Sequence, residues 1–286
     1  MYLYILTRVR SFRVCLRKGH TQRQTREKGK KSHYRTPSRA KARRTRKESP
    51  LEQIYTIPVN EAFDKVGEEP SLGCPFCLLF RKLEDDELDI ILGASMMEPD
   101  IRKKTNDMGF CLTHYRKMLG RRRRLGMGLI LESHLSEVKK KMRSLPSLLA
   151  LEEDCYVCAR IEKNLTAMIA TAVYLFETDP AFRKKYESVP FFCLPHYRAM
   201  ADYAKKKCGR RVYAAFSEVT ENIESAYLEK LTGDVSWFCK KFDYRYEEEP
   251  WYDSKDAIER SIRFLSSDTG EIPRAETGGS DTDSRK

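Results

Sequence analysis

The sequence predicts an all-α protein made of two tandem copies of one helical unit. Apolar residues recur at the spacing of one helix face, whereas the strict alternation typical of strands is scarce. Two such runs are Ile161, Leu165, Met168, Ala172 and Phe176, and Leu131, Leu135, Val138 and Met142. The phrase FCLTHYRKM at 110–118 returns as FCLPHYRAM at 192–200. The periodicity predicts the helices, and the repeated phrase predicts the duplication.

A metal-ligand motif occurs twice and gives the strongest signal. Each copy has a Cys-x-x-Cys followed by a Cys-x-x-His, and the second copy stands 81 to 82 residues after the first. The eight residues are Cys74, Cys77, Cys111 and His114 in the first copy, and Cys155, Cys158, Cys193 and His196 in the second. Four thiolate or imidazole ligands suit tetrahedral Zn²⁺. We therefore predict two Zn²⁺ ions per chain, one in each copy.

The predicted sites are structural. Four protein ligands leave no open coordination position. Pro75 directly follows Cys74 and favours a helix start there, which places the thiolates at the positive end of a helix dipole. Zinc binding worth about 10–16 kcal/mol would couple the metal to the fold. Because the sequence contains no nucleophile elbow, phosphate-binding loop or metalloprotease helix, we predict no catalytic and no other cofactor-binding residues.

Other interpretations of the cysteines stay open. Iron can take the same three thiolates and one imidazole, and a set of reduced core cysteines needs no metal. The GCPFC at 73–77 also resembles the redox motif of glutaredoxins, although the second copy, CYVC at 155–158, lacks the proline. Neither Cys-x-x-Cys continues to His, which excludes attachment of a c-type haem.

Charge is distributed unevenly along the 286 residues. The net charge is +12, but residues 1–49 hold 17 of the 54 basic residues and only two of the 42 acidic ones. The remaining 37 bases and 40 acids give residues 50–286 a net charge of −3. Nucleic-acid binding would therefore depend on a basic arm and on the run Arg121–Arg124, and we expect that run and the acidic 83–89 to face water.

The two ends of the chain differ in composition from its body. Residues 1–50 predict a basic disordered extension, and residues 267–286 a disordered tail. No Met lies between Met1 and Met96, and bacterial genes can start at a leucine codon. We hypothesise that natural translation begins at Leu51, which the intact mass of the native protein tests. Between the ends we predict a first zinc-binding repeat over 51–150 and a second, with a last helix, over 151–266.

No segment of the sequence predicts a membrane span or a secretory signal. The opening MYLYIL is apolar for only six residues, and the apolar stretch at 164–176 is shorter than the roughly 20 residues a bilayer requires. We expect a cytoplasmic protein, where thiols stay reduced.

Several separate phrases resemble one known family. They are IYTIPVNEAF, GCPFCLL, GASMMEPDIR, GFCLTHY, WFCKKFDYR and SKDAIERSIRFL, and they run from Ile54 to Leu265. Together they resemble an uncharacterised bacterial family, domain of unknown function 6062. The resemblance implies that the paired Cys and His positions are the characteristic motif of the family, and it implies no known activity. Residues 1–49 depart from the pattern.

These observations favour a non-enzymatic interaction or regulatory protein of the bacterial cytoplasm, with a protein partner that the sequence does not identify. A thiol-based redox or metal-stress sensor is the first alternative, because six thiolates at helix starts are oxidisable. A nucleic-acid-binding protein that uses the N-terminal arm is the second.

Overall fold

The computed structural model describes residues 54–268 and residue 270. These residues contain eleven α-helices and no strand, which confirms the predicted all-α class. The helices are α1 (Thr56–Glu68), α2 (Pro75–Leu92), α3 (Pro99–Met108), α4 (Leu112–Gly120), α5 (Arg124–Lys141), α6 (Leu145–Glu153), α7 (Tyr156–Thr178), α8 (Pro180–Glu187), α9 (Leu194–Lys207), α10 (Arg210–Lys240) and α11 (Ala257–Ser266). The predicted basic extension, the proposed start at Leu51 and the tail beyond residue 270 lie outside the described residues.

The predicted duplication is visible in the order of the helices. The first copy comprises α1 to α5 and the second α6 to α10, and α11 follows. In both copies the second helix begins at the Cys-x-x-Cys and the fourth at the Cys-x-x-His. Helix α10, the last helix of the second copy, is the longest helix of that copy, with 31 residues.

The two helices that begin with Cys-x-x-Cys, α2 and α7, pack against each other and run through two separate hydrophobic cores. One core contains the start of α2 and the end of α7, and we call the region around it lobe A. The other contains the end of α2 and the start of α7, and we call that region lobe B. The two helices are therefore antiparallel.

Lobe A combines the first helix of one copy with the later helices of the other. Helix α1 packs against α7 and α8, and α9 and α10 complete the core. Phe63 of α1 lies fully buried against rings of the second copy, 4.8 Å from Phe182 and 5.9 Å from Tyr186 between ring centroids. Burying a phenylalanine in this way contributes roughly 1.5–3 kcal/mol, so the copies hold each other.

Lobe B shows the reverse combination. Its core joins Leu88 and Ile91 of α2 to Met118 of α4, Ile130 of α5 and Val157 of α7. Helix α6 of the second copy contacts α3 and α5 of the first. Each lobe therefore draws helices from both copies.

Two sequence-based expectations about helix faces had different outcomes. The run in α7 is confirmed as a core face, since Ile161, Met168, Ala172 and Phe176 are buried. The run in α5 lies in a helix, as predicted, but the helix does not bury it: Leu135 is 62% exposed and Met142, just past the helix, is 61% exposed. The buried residues of α5 are Gly126, Ile130 and His134, which face α3 and α4.

None of the helices described above has both the length and the apolar character that crossing a bilayer requires.

Candidate metal centres

The first candidate centre, cluster A, lies in lobe A where α2 and α9 begin. It consists of Cys74, Cys77, Cys193 and His196, and all four residues are buried. The Nδ1 of His196 lies 3.6 Å from the Sγ of Cys74, 3.6 Å from that of Cys77 and 3.0 Å from that of Cys193. The sulfurs of Cys77 and Cys193 are 3.6 Å apart.

The second centre, cluster B, lies in lobe B where α4 and α7 begin. It consists of Cys111, His114, Cys155 and Cys158. The Nδ1 of His114 lies 3.1, 3.3 and 3.4 Å from the sulfurs of Cys111, Cys155 and Cys158. His114 and Cys155 are buried, whereas Cys111 and Cys158 are partly exposed.

The structure corrects the expected pairing of the motifs. Each cluster joins the Cys-x-x-Cys of one copy to the Cys-x-x-His of the other, not to that of its own copy. Helix α2 carries the chain about 27 Å away from Cys74, and the ten residues of α3 span only about 15 Å. The next Cys-x-x-His therefore lies alongside the middle of α2, where Glu84 meets His114.

A glycine with positive φ precedes each first-copy motif and allows the close approach of two chain segments. Gly73 has φ 79°, and a Cβ at this position would lie 3.1 Å from the ring of Phe191, just before Cys193. Gly109 has φ 65°, and its carbonyl accepts a hydrogen bond from the backbone N–H of Tyr156, next to Cys155. Both positions favour glycine because other side chains rarely adopt this conformation.

The arrangement of ligand atoms fits a tetrahedral metal ion. Bond lengths of about 2.3 Å to sulfur and 2.0 Å to nitrogen place tetrahedral ligand atoms about 3.5–3.8 Å apart. The ligand atoms of each cluster lie within 4.8 Å of one another. Three of the distances above equal 3.6 Å, within the tetrahedral range, and the other four are 3.0 to 3.4 Å. All four Cys residues that open a motif are N-caps, as predicted for Cys74, so two helix N-termini face each cluster.

The thiols within each cluster differ in the direction of their pKa shifts. Hydrogen bonds from Cys155 and Cys158 lower the pKa of Cys111, and hydrogen bonding to Cys111 and Cys155 raises the pKa of Cys158. In cluster A the contact with Cys193 raises the pKa of Cys77 in the same way. A metal ion that binds all three thiolates must displace the retained proton, so its affinity increases with pH.

A buried carboxylate orients the histidine of cluster B. Glu84 of α2 accepts a hydrogen bond from Nε2 of His114 at 3.1 Å and from the ammonium of Lys117 at 2.6 Å. Burial raises the pKa of Glu84, but these two donors lower it more, so the group is a carboxylate with a pKa below its ordinary value. Because Nε2 carries the donated proton, Nδ1 is left free for a metal.

Cluster A is closed by residues that follow α11 instead. The hydroxyl of Ser267 lies 3.1 Å from the sulfur of Cys193, and the backbone N–H of Asp268 donates to the sulfur of Cys77 at 3.3 Å. The Asp268 carboxylate pairs with Arg81 of α2 at 2.7 Å. These first residues of the predicted tail therefore contact cluster A.

Neither set of outer contacts was predicted from the sequence. Glu84 belongs to the acidic run at 83–89, which we expected to face water. The sequence did contain a signal for the position of Glu84, because Glu84 follows Cys77 by seven residues and so lies on the same face of α2. Ser267 and Asp268 carry no comparable signal, because the fold alone brings them to the cluster.

The basic and acidic runs are partners of each other. Arg121 pairs with Asp85 and Asp89, and Arg123 with Asp89. Half of the Arg121–Arg124 run is therefore neutralised within the fold.

One buried carboxylate beside cluster A lacks a full set of partners. The backbone N–H of Phe192, next to Cys193, donates to Oε1 of Glu224 at 2.7 Å. Its Oε2 is buried and has no hydrogen-bond partner among the described residues. Burial raises the pKa of Glu224 to about 8. The protonated form is therefore favoured at neutral pH.

Comparison with protein families assigns the chain. The model of a family of unknown function, DUF6062, matches residues 51–150 and again residues 144–272. The chain belongs to the DUF6062 family. No curated protein and no solved structure matches it. Each DUF6062 match contains one complete set of four ligand residues, yet each metal cluster takes two residues from each match.

The cross-copy pairing in this DUF6062 protein predicts the metal content of a double variant. Cys111→Ser with Cys158→Ser removes two ligands of cluster B and leaves cluster A complete, so we expect one bound metal ion per chain. Pairing within each copy would damage both sites and leave none. Elemental analysis distinguishes the two results. The control is Cys208→Ser with Cys239→Ser, outside both clusters, which should retain two ions.

Glu224 predicts how stability depends on pH. Its folded pKa of about 8 lies above the ordinary 4.5, so its contribution is complete below about pH 4.5 and is lost as pH rises through about 8. Glu224→Gln keeps an acceptor for Phe192 and removes the charge. Its unfolding free energy relative to wild type should rise by about 1–3 kcal/mol between pH 6 and pH 9 in urea titrations with metal present. A pH-independent difference would contradict this, and the exposed Glu229→Gln is the control.

Proposed function

We propose that this protein is a zinc-stabilised helical scaffold of the bacterial cytoplasm, with a non-enzymatic interaction or regulatory role. The observation that carries the proposal is the cross-copy pairing. Each cluster takes two ligands from each sequence copy, so an ion at either cluster joins the copies. The role of the metal is then to stabilise the relative positions of helices.

Zinc is the metal that the ligand set favours. Three thiolates and one imidazole in a tetrahedral arrangement are a frequent structural zinc set, and iron takes it less often. With four protein ligands, no coordination position is left for a substrate. The eight cysteines in the described residues are all free of disulfides, in keeping with a reducing compartment.

Two cavities of the described residues are consistent with a non-enzymatic role. An apolar groove of about 210 Å³ lies between α10 and α11. A polar cavity of about 350 Å³ between α2 and α4 contains three basic side chains, and each is already paired: Arg81 with Asp268, Lys117 with Glu84 and Arg121 with Asp85. Paired charges of this kind stabilise the fold and are poorly placed to bind a substrate.

Metal analysis combined with circular dichroism tests the proposed scaffold. Protein made without added zinc should contain two zinc ions per chain, and a chelator should abolish most of the helical signal because structural zinc and folding are coupled. Restoring zinc should restore helicity. Iron in the purified protein, or full helicity without metal, would contradict the scaffold. Turnover of a small-molecule panel that is lost in Arg121→Ala would contradict the non-enzymatic role.

A redox or metal-stress sensor is the second candidate, and the exposure of cluster B favours it. The sulfurs of Cys111 and Cys158 are 3.9 Å apart in partly exposed residues, whereas every residue of cluster A is buried. Peroxide would oxidise these two thiolates to a disulfide. With two protons it would itself be reduced to two water molecules, and the metal would be released. Cluster B would be the sensing site and cluster A the permanent one.

Limited peroxide treatment tests the sensor. We expect release of one zinc ion per chain, together with a disulfide between Cys111 and Cys158 in the peptide map. Zinc retained in full at high peroxide would exclude the sensor, and so would oxidation of cluster A first.

A further inference from the structure

An aromatic surface lies at the end of α10, in a segment that contains none of the eight cluster residues. We call residues 237–253 the aromatic terminus. It contains seven aromatic residues, namely Trp237, Phe238, Phe242, Tyr244, Tyr246, Trp251 and Tyr252. Ring contacts place six of them in two groups of three: Trp237 contacts Tyr246 and Tyr252, and Phe238 contacts Phe242 and Trp251. Such a dense aromatic group is typical of a protein-binding surface.

Hydrogen bonds from its own side chains hold the backbone of the aromatic terminus in place. The ammonium of Lys241 donates to the carbonyls of Tyr246, Glu247 and Glu249 at 2.6 to 2.7 Å. The indole N–H of Trp237 donates to the carbonyl of Pro250 at 3.0 Å. Since the segment is ordered beforehand, a ligand that binds it loses less conformational entropy.

Three of the rings point largely into solvent. Phe242 is 75% exposed, Tyr244 85% and Tyr252 68%. Tyr252 also adopts a left-handed backbone conformation, with φ 49°, which is strained for a bulky residue. Exposing large rings on a fixed and locally strained backbone contributes nothing evident to stability, so the arrangement points to binding.

The charge around these rings indicates the kind of partner. The aromatic terminus holds five acidic and three basic residues. Arg245 pairs with Asp243 at 2.6 Å and Lys230 with Asp253 at 2.9 Å, whereas the Lys241 ammonium donates to backbone carbonyls. The acidic run Glu247–Glu249 is exposed. A negatively charged aromatic surface attracts cations and repels the phosphates of nucleic acid.

Cation–π contacts already occur within this surface. The Lys241 ammonium lies 5.3 Å from the ring centre of Trp251, and the Arg245 guanidinium 5.8 Å from that of Tyr246. Both are within the distance at which a ring face attracts a cation.

We propose that the aromatic terminus binds a basic peptide segment, rich in arginine or lysine, of a partner protein. The rings Phe242, Tyr244 and Tyr252 contact the basic side chains, and Glu247–Glu249 supply the complementary charge. The inference rests on the proposed interaction role and names the class of partner for it. The metal clusters hold the fold and take no direct part in this contact.

The two tryptophans of the chain make the test specific. Trp237 and Trp251 both belong to the aromatic terminus, so intrinsic fluorescence of the full chain with zinc bound reports on this surface. The probe is a short peptide of alternating arginine and glycine, with the matching glutamate and glycine peptide as its negative control. We expect saturable fluorescence changes with the arginine peptide only, weakened by added salt.

Matched variants separate this surface from general electrostatic attraction. The acidic variant is Glu247→Gln, Glu248→Gln and Glu249→Gln. The matched control is Glu162→Gln, Glu218→Gln and Glu229→Gln, which removes three exposed charges elsewhere. We expect the acidic variant to bind about tenfold more weakly, since three exposed ion pairs are lost. Phe242→Ala with Tyr244→Ala should weaken binding by a similar factor, and the control should bind as wild type.

Each other outcome overturns the proposal. Equal losses in the acidic variant and its control would show non-specific attraction. Binding of the glutamate peptide, or concentration-dependent self-association through this surface in sedimentation, would contradict a basic partner. Either result would remain compatible with the proposed interaction role. Zinc content is measured in every variant, so a failure of the metal scaffold is recognised separately.

Discussion

The antiparallel packing of α2 against α7 is the constraint on which the rest of this structure depends. Both helices begin with a Cys-x-x-Cys, and each runs from one hydrophobic core into the other. The N-terminus of each therefore meets the Cys-x-x-His helix of the opposite copy. Neither copy forms a complete core or a complete cluster from its own residues, so the duplicated halves fold as one body. A metal ion at each end of the helix pair would fix this arrangement.

Local sequence signals predicted the ligand residues and their helix positions. Long-range packing determines which motifs form a cluster together, and local signals could not predict this. The three-residue spacing and the helix starts at Cys74, Cys111, Cys155 and Cys193 depend on one helix turn each, and the predicted position of the motifs at helix N-termini is confirmed. The choice of partner depends on helix lengths and on the direction of α2 against α7. Two identical motifs satisfy either pairing equally well, so no motif in the sequence distinguishes them.

The duplication repeats the ligands but not their surroundings. Glu84 orients His114 in cluster B, whereas Leu165 occupies the equivalent position of α7 and packs in the core of lobe A. Ser267 and Asp268 cover the sulfurs of cluster A, and they follow a helix that the first copy lacks. One ligand set thus has two environments: a fully buried one in cluster A and a partly exposed one in cluster B. The spacing of the motifs does not predict this difference in burial, because burial depends on how distant segments pack in the fold.

Crystallography with anomalous scattering at the zinc absorption edge tests the central claim most directly, because it locates the ions and their ligands together. The account predicts two anomalous peaks per chain. One is bonded to Cys74, Cys77, Cys193 and His196, and the other to Cys111, His114, Cys155 and Cys158. A peak that joins Cys74 and Cys77 to Cys111 and His114, or no peak at either cluster, would contradict it.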